Sequence, residues 1–226
     1  MSDLLLEVNC IGIDPGMGRV ALTENSATAS WETCVFEYKQ KRPTDRLFEL
    51  RATTSDWQQG IYPTVLALEA PMGRLQGASR WLPAFWWEIT TMFEHYAAAY
   101  HNASPYAHDW EPGALPALLC LDPSPSTIKQ FVTGKGNANK TTMVVNIVRH
   151  WRDELPGNLL PAVEAGDLEK ICDELESYAM ARMAECAAQV TLGEVGNEWH
   201  SYQVDATIKC LESTARMIVP SEEMRE

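Results

Sequence analysis

Residues 64–70 read TVLALEA, apolar at almost every position before ending in an acid. A strand with one wet face alternates apolar and polar residues, whereas a near-continuous apolar run needs cover on both faces. That need commits the chain to layers, with helices on each side of a sheet. Residues 117–122, ALLCLD, form a second buried strand of this type. Three strand-like segments precede both, at residues 8–14, 19–24 and 31–38. A Pro-Gly turn and the polar stretch NSATAS separate them, so they read as an antiparallel meander.

Helical patterns fill the intervals, at about residues 44–59 and 76–100. The second contains Trp81, Phe85, Trp86 and Trp87, with Pro83 expected to start or kink it. These aromatics suit core packing, with stacking on unpaired bases as the alternative. After residue 122 come a short helix, a glycine-rich turn and a helix opening near Asn137 or Asn139. A polar connector leads to a helix at about residues 168–189, and residues 204–218 also read as helix. The expected fold is α/β: a mixed five-stranded sheet, meander plus parallel strands, with helices on both faces. Residues 1–189 are expected to form one domain, and 190–226 a helical extension packed on it.

No apolar run is long enough to span a bilayer. The N-terminus has no basic region before its short apolar run, so it does not read as a secretory signal. Cys10, Cys34, Cys120, Cys172, Cys186 and Cys210 are scattered without a CxxC pair, which suits reduced thiols in a cytoplasm.

Net charge is −13, which by itself discourages nucleic-acid binding. The distribution says otherwise. Residues 123–152 carry Lys129, Lys135, Lys140, Arg149 and Arg152 with no acid among them. Within this island, TGKGNANK offers two glycines that let backbone amides approach an anion, and an Asn able to cap a helix. It lacks the GxxxxGK[ST] spacing of a nucleotide-binding loop.

The acids also have a pattern. Asp14 ends the first strand in IGIDPGMGR, where Asp-Pro-Gly is good turn chemistry in its own right. Glu69 ends the fourth strand, and both acids are placed to face one edge of the sheet. Asp173 and Glu176 are three apart on one helical face, which also suits a solvated acidic surface. Carboxylates converging from two strands and a helix repel one another unless a cation sits among them. Magnesium, a hard ion, prefers such oxygens.

Four segments, IGIDPGMGRVAL, LALEAPMGRLQGASR, STIKQFVTGKGNANKTTMV and DELESYAMA, follow one another over about residues 10–182. In that order they resemble the RuvC-type Holliday junction resolvases of the RNase H-like nuclease superfamily, with a divergence like that of bacteriophage members. The resemblance implies that Asp14, Glu69, Asp173 and Glu176 are catalytic acids holding two Mg²⁺ or Mn²⁺ ions. It implies that Lys140 is catalytic, and that Lys129, Lys135, Asn137 and Lys140 contact DNA. A homodimer that nicks paired strands of a four-way junction, in the cytoplasm of a bacterial or phage-infected cell, completes the expectation. The alternatives are a broader branched-DNA nuclease acting on flaps and forks, and a junction-binding protein that does not cut. One departure stands out: the last acid is usually Asp in the family, and here it is Glu176.

Overall fold

A computed structural model describes residues 8–16, 18–25, 30–54, 64–70, 82–103, 115, 118–214 and 216–218. The meander is present as β1 (Asn9–Pro15), β2 (Arg19–Asn25) and β3 (Trp31–Glu37), antiparallel throughout. Helix α1 (Pro43–Thr54) leads toward β4 (Thr64–Leu68), and α2 (Leu82–Ala103) toward β5 (Leu118–Leu121). β4 runs parallel to β1, and β5 parallel to β4. The expected five-stranded mixed sheet is therefore present, in the order β3-β2-β1-β4-β5.

Helices α3 (Pro125–Thr133), α4 (Lys140–Trp151), α5 (Leu160–Ala165), α6 (Cys172–Leu192) and α7 (Ser201–Thr214) follow. Pro83 lies in the first turn of α2, so it starts that helix. Trp81 falls outside the described residues. Phe85 is buried and Trp87 is exposed, so this aromatic run divides between core and surface.

The C-terminal segment differs from expectation. Helix α7 stops at Thr214, and β6 (Arg216–Ile218) pairs antiparallel with β5. An open β5 edge would leave backbone donors and acceptors unpaired, and a short strand satisfies them. That gain comes from tertiary pairing, which a local helical pattern does not register.

Strand alternation divides the core in two. Ile11 and Ile13 of β1 join Leu66 and Leu68 of β4 on one face, covered by Leu50 of α1 and Phe85 and Ile89 of α2. Cys10 of β1, with Val65 and Ala67 of β4, lies on the other face against α6, α3 and α4. Gly12 and Asp14 belong to this second face by the same alternation.

Helix α6 lies directly on β1 at Gly12. A Cβ there would sit 2.0 Å from the Ser177 carbonyl oxygen and 2.2 Å from the Ala181 nitrogen, so only glycine permits the approach. Beside this contact, Ser177 Oγ and Thr23 Oγ1 are 2.8 Å apart, and Thr23 Oγ1 and Thr33 Oγ1 are 2.7 Å apart. This buried hydroxyl chain fastens α6 to β2 and β3, and satisfying each group avoids the penalty of an orphaned polar atom. Farther along α6, the buried Arg182 is ringed by Trp31, Trp151 and Trp199, with its guanidinium carbon 5.0 Å from the Trp199 ring centroid. It pairs with Glu154 and Glu185, which offset the cost of burying its charge.

Candidate active site

Two parallel strands deliver two acids to one sheet edge. Ile13 is in register with Leu68, so the next residues, Asp14 near the end of β1 and Glu69 just past β4, come side by side. The Glu69 backbone N–H donates to the Ile13 carbonyl at 3.3 Å, continuing the ladder one step past the strand. Equal register places both side chains on the α6 face. The carboxyl ends of parallel strands are where open α/β sheets build their sites.

Helix α6 brings the other two acids. With its backbone against Gly12, its first turn overhangs the end of β1, and Asp173 and Glu176 both act electrostatically on Asp14. The structure thus joins all four acids expected from the sequence, although residues 14 and 176 are far apart along the chain.

The electrostatics follow from this crowding. Burial first, then the charges of Glu69, Glu176 and Asp173, push the Asp14 carboxyl up to about 8. Glu69 is also raised, by burial and by Glu176, while the hydrogen bond that Asp14 donates opposes the shift. Asp173 goes the other way. Burial favours its proton, but hydrogen bonds from Arg19 and Lys140 outweigh burial and hold the carboxyl below its ordinary value.

Lys140 sits among these acids. Its Nζ lies 2.7 Å from Glu176 Oε1 and 3.2 Å from Asp173 Oδ1. Partial burial works against the ammonium, yet its hydrogen bond and charge interaction with Glu176 raise its pKa. Lys140 is the first residue of α4, where Asn139 caps the helix by accepting from the Thr142 N–H at 2.7 Å. Asn139, not Asn137, is therefore the cap. The preceding turn starts at Gly134, whose left-handed φ of 73° closes α3. Lys129 on α3 acts on Glu69, whereas Lys135 and Asn137 are exposed on the turn.

Arg19 is a site residue that the sequence reading missed. Its Nε and Nη2 each lie 2.8 Å from Asp173 Oδ2, and Nη2 lies 3.6 Å from Glu174 Oε2. Arg19 thus occupies one oxygen of Asp173 and leaves Oδ1 to face Lys140. The available signal was its position two residues before Ala21, the β2 partner of Asp14, on the same face of the sheet. Glu174, two residues before Glu176, turns toward Arg19. Cys172 was also missed, and its Sγ lies 3.5 Å from Glu176 Oε1.

Asp14, Glu69, Asp173 and Glu176 offer a cation several carboxylate oxygens, partly balanced by Lys140 and Arg19. Hard oxygen donors and mutual repulsion both fit Mg²⁺ or Mn²⁺.

The chain is similar to Thermus thermophilus RuvC at 14% identity, covering 82% of this chain and 96% of that one, with a TM-score of 0.45. It is also similar to T. thermophilus RuvC in complex with Holliday junction substrate, at 12% identity, with 82% and 97% covered and a TM-score of 0.46. No protein-family model matches the chain, and no curated protein does. No helix among the described residues is long and apolar enough to cross a membrane.

Proposed function

We propose that this chain is a divalent-cation-dependent endonuclease that cuts branched DNA, with four-way junctions as the substrate. One observation carries the proposal: Asp14, Glu69, Asp173 and Glu176 converge at one edge of the sheet with Lys140 among them. The resemblance of the four sequence segments to junction resolvases supplies the substrate.

In this reading, the four carboxylates would hold two Mg²⁺ or Mn²⁺ ions. Such ions supply Lewis acidity, making water a nucleophile near neutral pH and stabilising the leaving oxygen of a phosphodiester. Asp14, on the shared edge of β1 and β4, would offer its carboxylate to that cation site. Arg19 keeps Asp173 oriented by holding Oδ2. Lys140 yields its carboxylate partners and pairs with the DNA backbone, aided by Lys129. Lys135 and Asn137, exposed on the adjoining turn, extend the phosphate contact. Glu176 reaches the site with one methylene more than the usual Asp.

A homodimer with two sites belongs to the same proposal, because a two-fold protein suits paired nicks on a branched substrate. The exposed Trp87 of α2 is available for such a contact, and light scattering tests it. A monomer with undiminished paired nicking would exclude the dimer.

The deciding experiment gives the purified protein a labelled four-way junction, a flap and a linear duplex, in Mg²⁺ or EDTA. Junction cleavage that needs Mg²⁺ and disappears in Asp14→Asn, with binding retained, supports the proposal. Equal cutting of flaps and junctions would replace it with a general debranching nuclease. Binding without cutting would overturn the nuclease assignment.

A further inference from the structure

We infer that Cys172 gives this centre a soft donor, so that Cys172, Asp173 and Glu176 together bind a thiophilic divalent cation such as Zn²⁺ or Cd²⁺. The inference rests on the proposed cation site and concerns which ions that site accepts. Ligand atoms of these three residues lie within 4.8 Å of one another. Magnesium sites use oxygen donors, whereas thiolate sulfur selects softer metals. A sulfur beside two of the four acids therefore changes the selectivity of that side of the centre.

The geometry of the pair suits such an ion. Zn–S and Zn–O bonds of about 2.3 and 2.1 Å at a tetrahedral angle leave sulfur and oxygen about 3.6 Å apart. Cys172 Sγ and Glu176 Oε1 are 3.5 Å apart. Their i, i+4 spacing on α6 fixes this separation, because such residues are neighbours on a helix face. Cys172 is the first residue of the helix, and burial pushes its thiol up to about 11, so a bound ion has to displace that proton. Ligation breaks the S–H bond and forms a metal–sulfur bond, with the proton passing to solvent. Lys140, on the same carboxylate oxygens, has a side chain 53% exposed, which leaves it a way out.

The consequence is competition. A soft ion held by Cys172, Asp173 and Glu176 removes two carboxylates from the magnesium site.

The test uses full-length protein, stripped with EDTA and titrated with CdCl₂ while the ultraviolet sulfur-to-cadmium charge-transfer band is followed. One equivalent should saturate the band, and Cys172→Ser should abolish it with the melting temperature unchanged. Cys34→Ser should keep it, which matters because Cys34 is the exposed thiol among those described. Glu176→Gln should weaken cadmium binding roughly tenfold or more, and excess Mg²⁺ should shift the titration in the same direction. The inference is overturned if the band is absent in the wild type or persists in Cys172→Ser. It also fails if the band is lost in Cys34→Ser or is indifferent to Glu176→Gln, arms that decide even if Cys172→Ser misfolds. A Cys172-dependent band in a protein that never cuts DNA would sink the nuclease proposal alone. Magnesium-dependent cutting without the band would sink this inference alone.

Discussion

Replacing Asp14 by asparagine in the metal-free protein should raise its stability at alkaline pH. Burial, and then Glu69, Glu176 and Asp173, push this carboxyl from an ordinary 3.8 to about 8. The folded protein thus holds the proton more tightly than the unfolded chain does. The stability linked to it is complete below about pH 4 and is lost as pH rises through 8. Between pH 5 and pH 8 lie about three pKa units, worth about 1.4 kcal/mol each, so wild type should lose about 4 kcal/mol across that interval. Asparagine does not ionise and escapes the loss. Urea denaturation in EDTA at pH 5 and pH 9 measures it, with the variant gaining on wild type at pH 9. Asp173, whose pKa is lowered, contributes a trend of opposite sign in both proteins, and Glu69, whose pKa is raised, one of the same sign that remains in the variant. Parallel decline of wild type and variant from pH 5 to pH 9 would refute the buried, crowded carboxyl.

Three further substitutions probe the surroundings. Gly12→Ala puts a methyl against the α6 backbone and should cost about 3 kcal/mol or more by thermal denaturation, lifting α6 from β1 and ending cleavage together with cation binding. Arg19→Gln should cost about 1 kcal/mol in stability at neutral pH and raise the Asp173 pKa, followed by carboxyl NMR titration. Lys140→Ala should weaken junction binding, with the slope of log affinity against log salt reduced by about one.

The sheet was legible because its strands obey simple patterns. Residues 65–68 and 118–121 are apolar throughout since both faces are covered, and β1 to β3 are separated by turn residues. Asp14 and Glu69 were legible for the same reason, as charges that end apolar runs, and parallel pairing then placed them side by side. Asp173 and Glu176 showed themselves through helical spacing. Arg19 did not, because its partner is set by hairpin register and by the landing point of α6, neither of which is local. Cys172 was hidden likewise: its meaning depends on Glu176 lying one turn away and on α6 beginning at residue 172, later than the sequence pattern indicated. β6 was read as helix because three residues pairing with an edge strand carry almost no signal of their own. Gly12 read only as part of a strand, and its role as the seat of α6 emerged from the packing.

The central claim is that four carboxylates from two strands and one helix share divalent cations. The most direct measurement is Mn²⁺ binding to EDTA-stripped protein, by calorimetry or by loss of the free-ion paramagnetic resonance signal. Wild type should bind Mn²⁺ in competition with Mg²⁺, and both Asp14→Asn and Glu69→Gln should lose that binding while remaining folded. Wild-type protein that binds no Mn²⁺, or an Asp14→Asn variant that binds it as wild type does, would contradict the account.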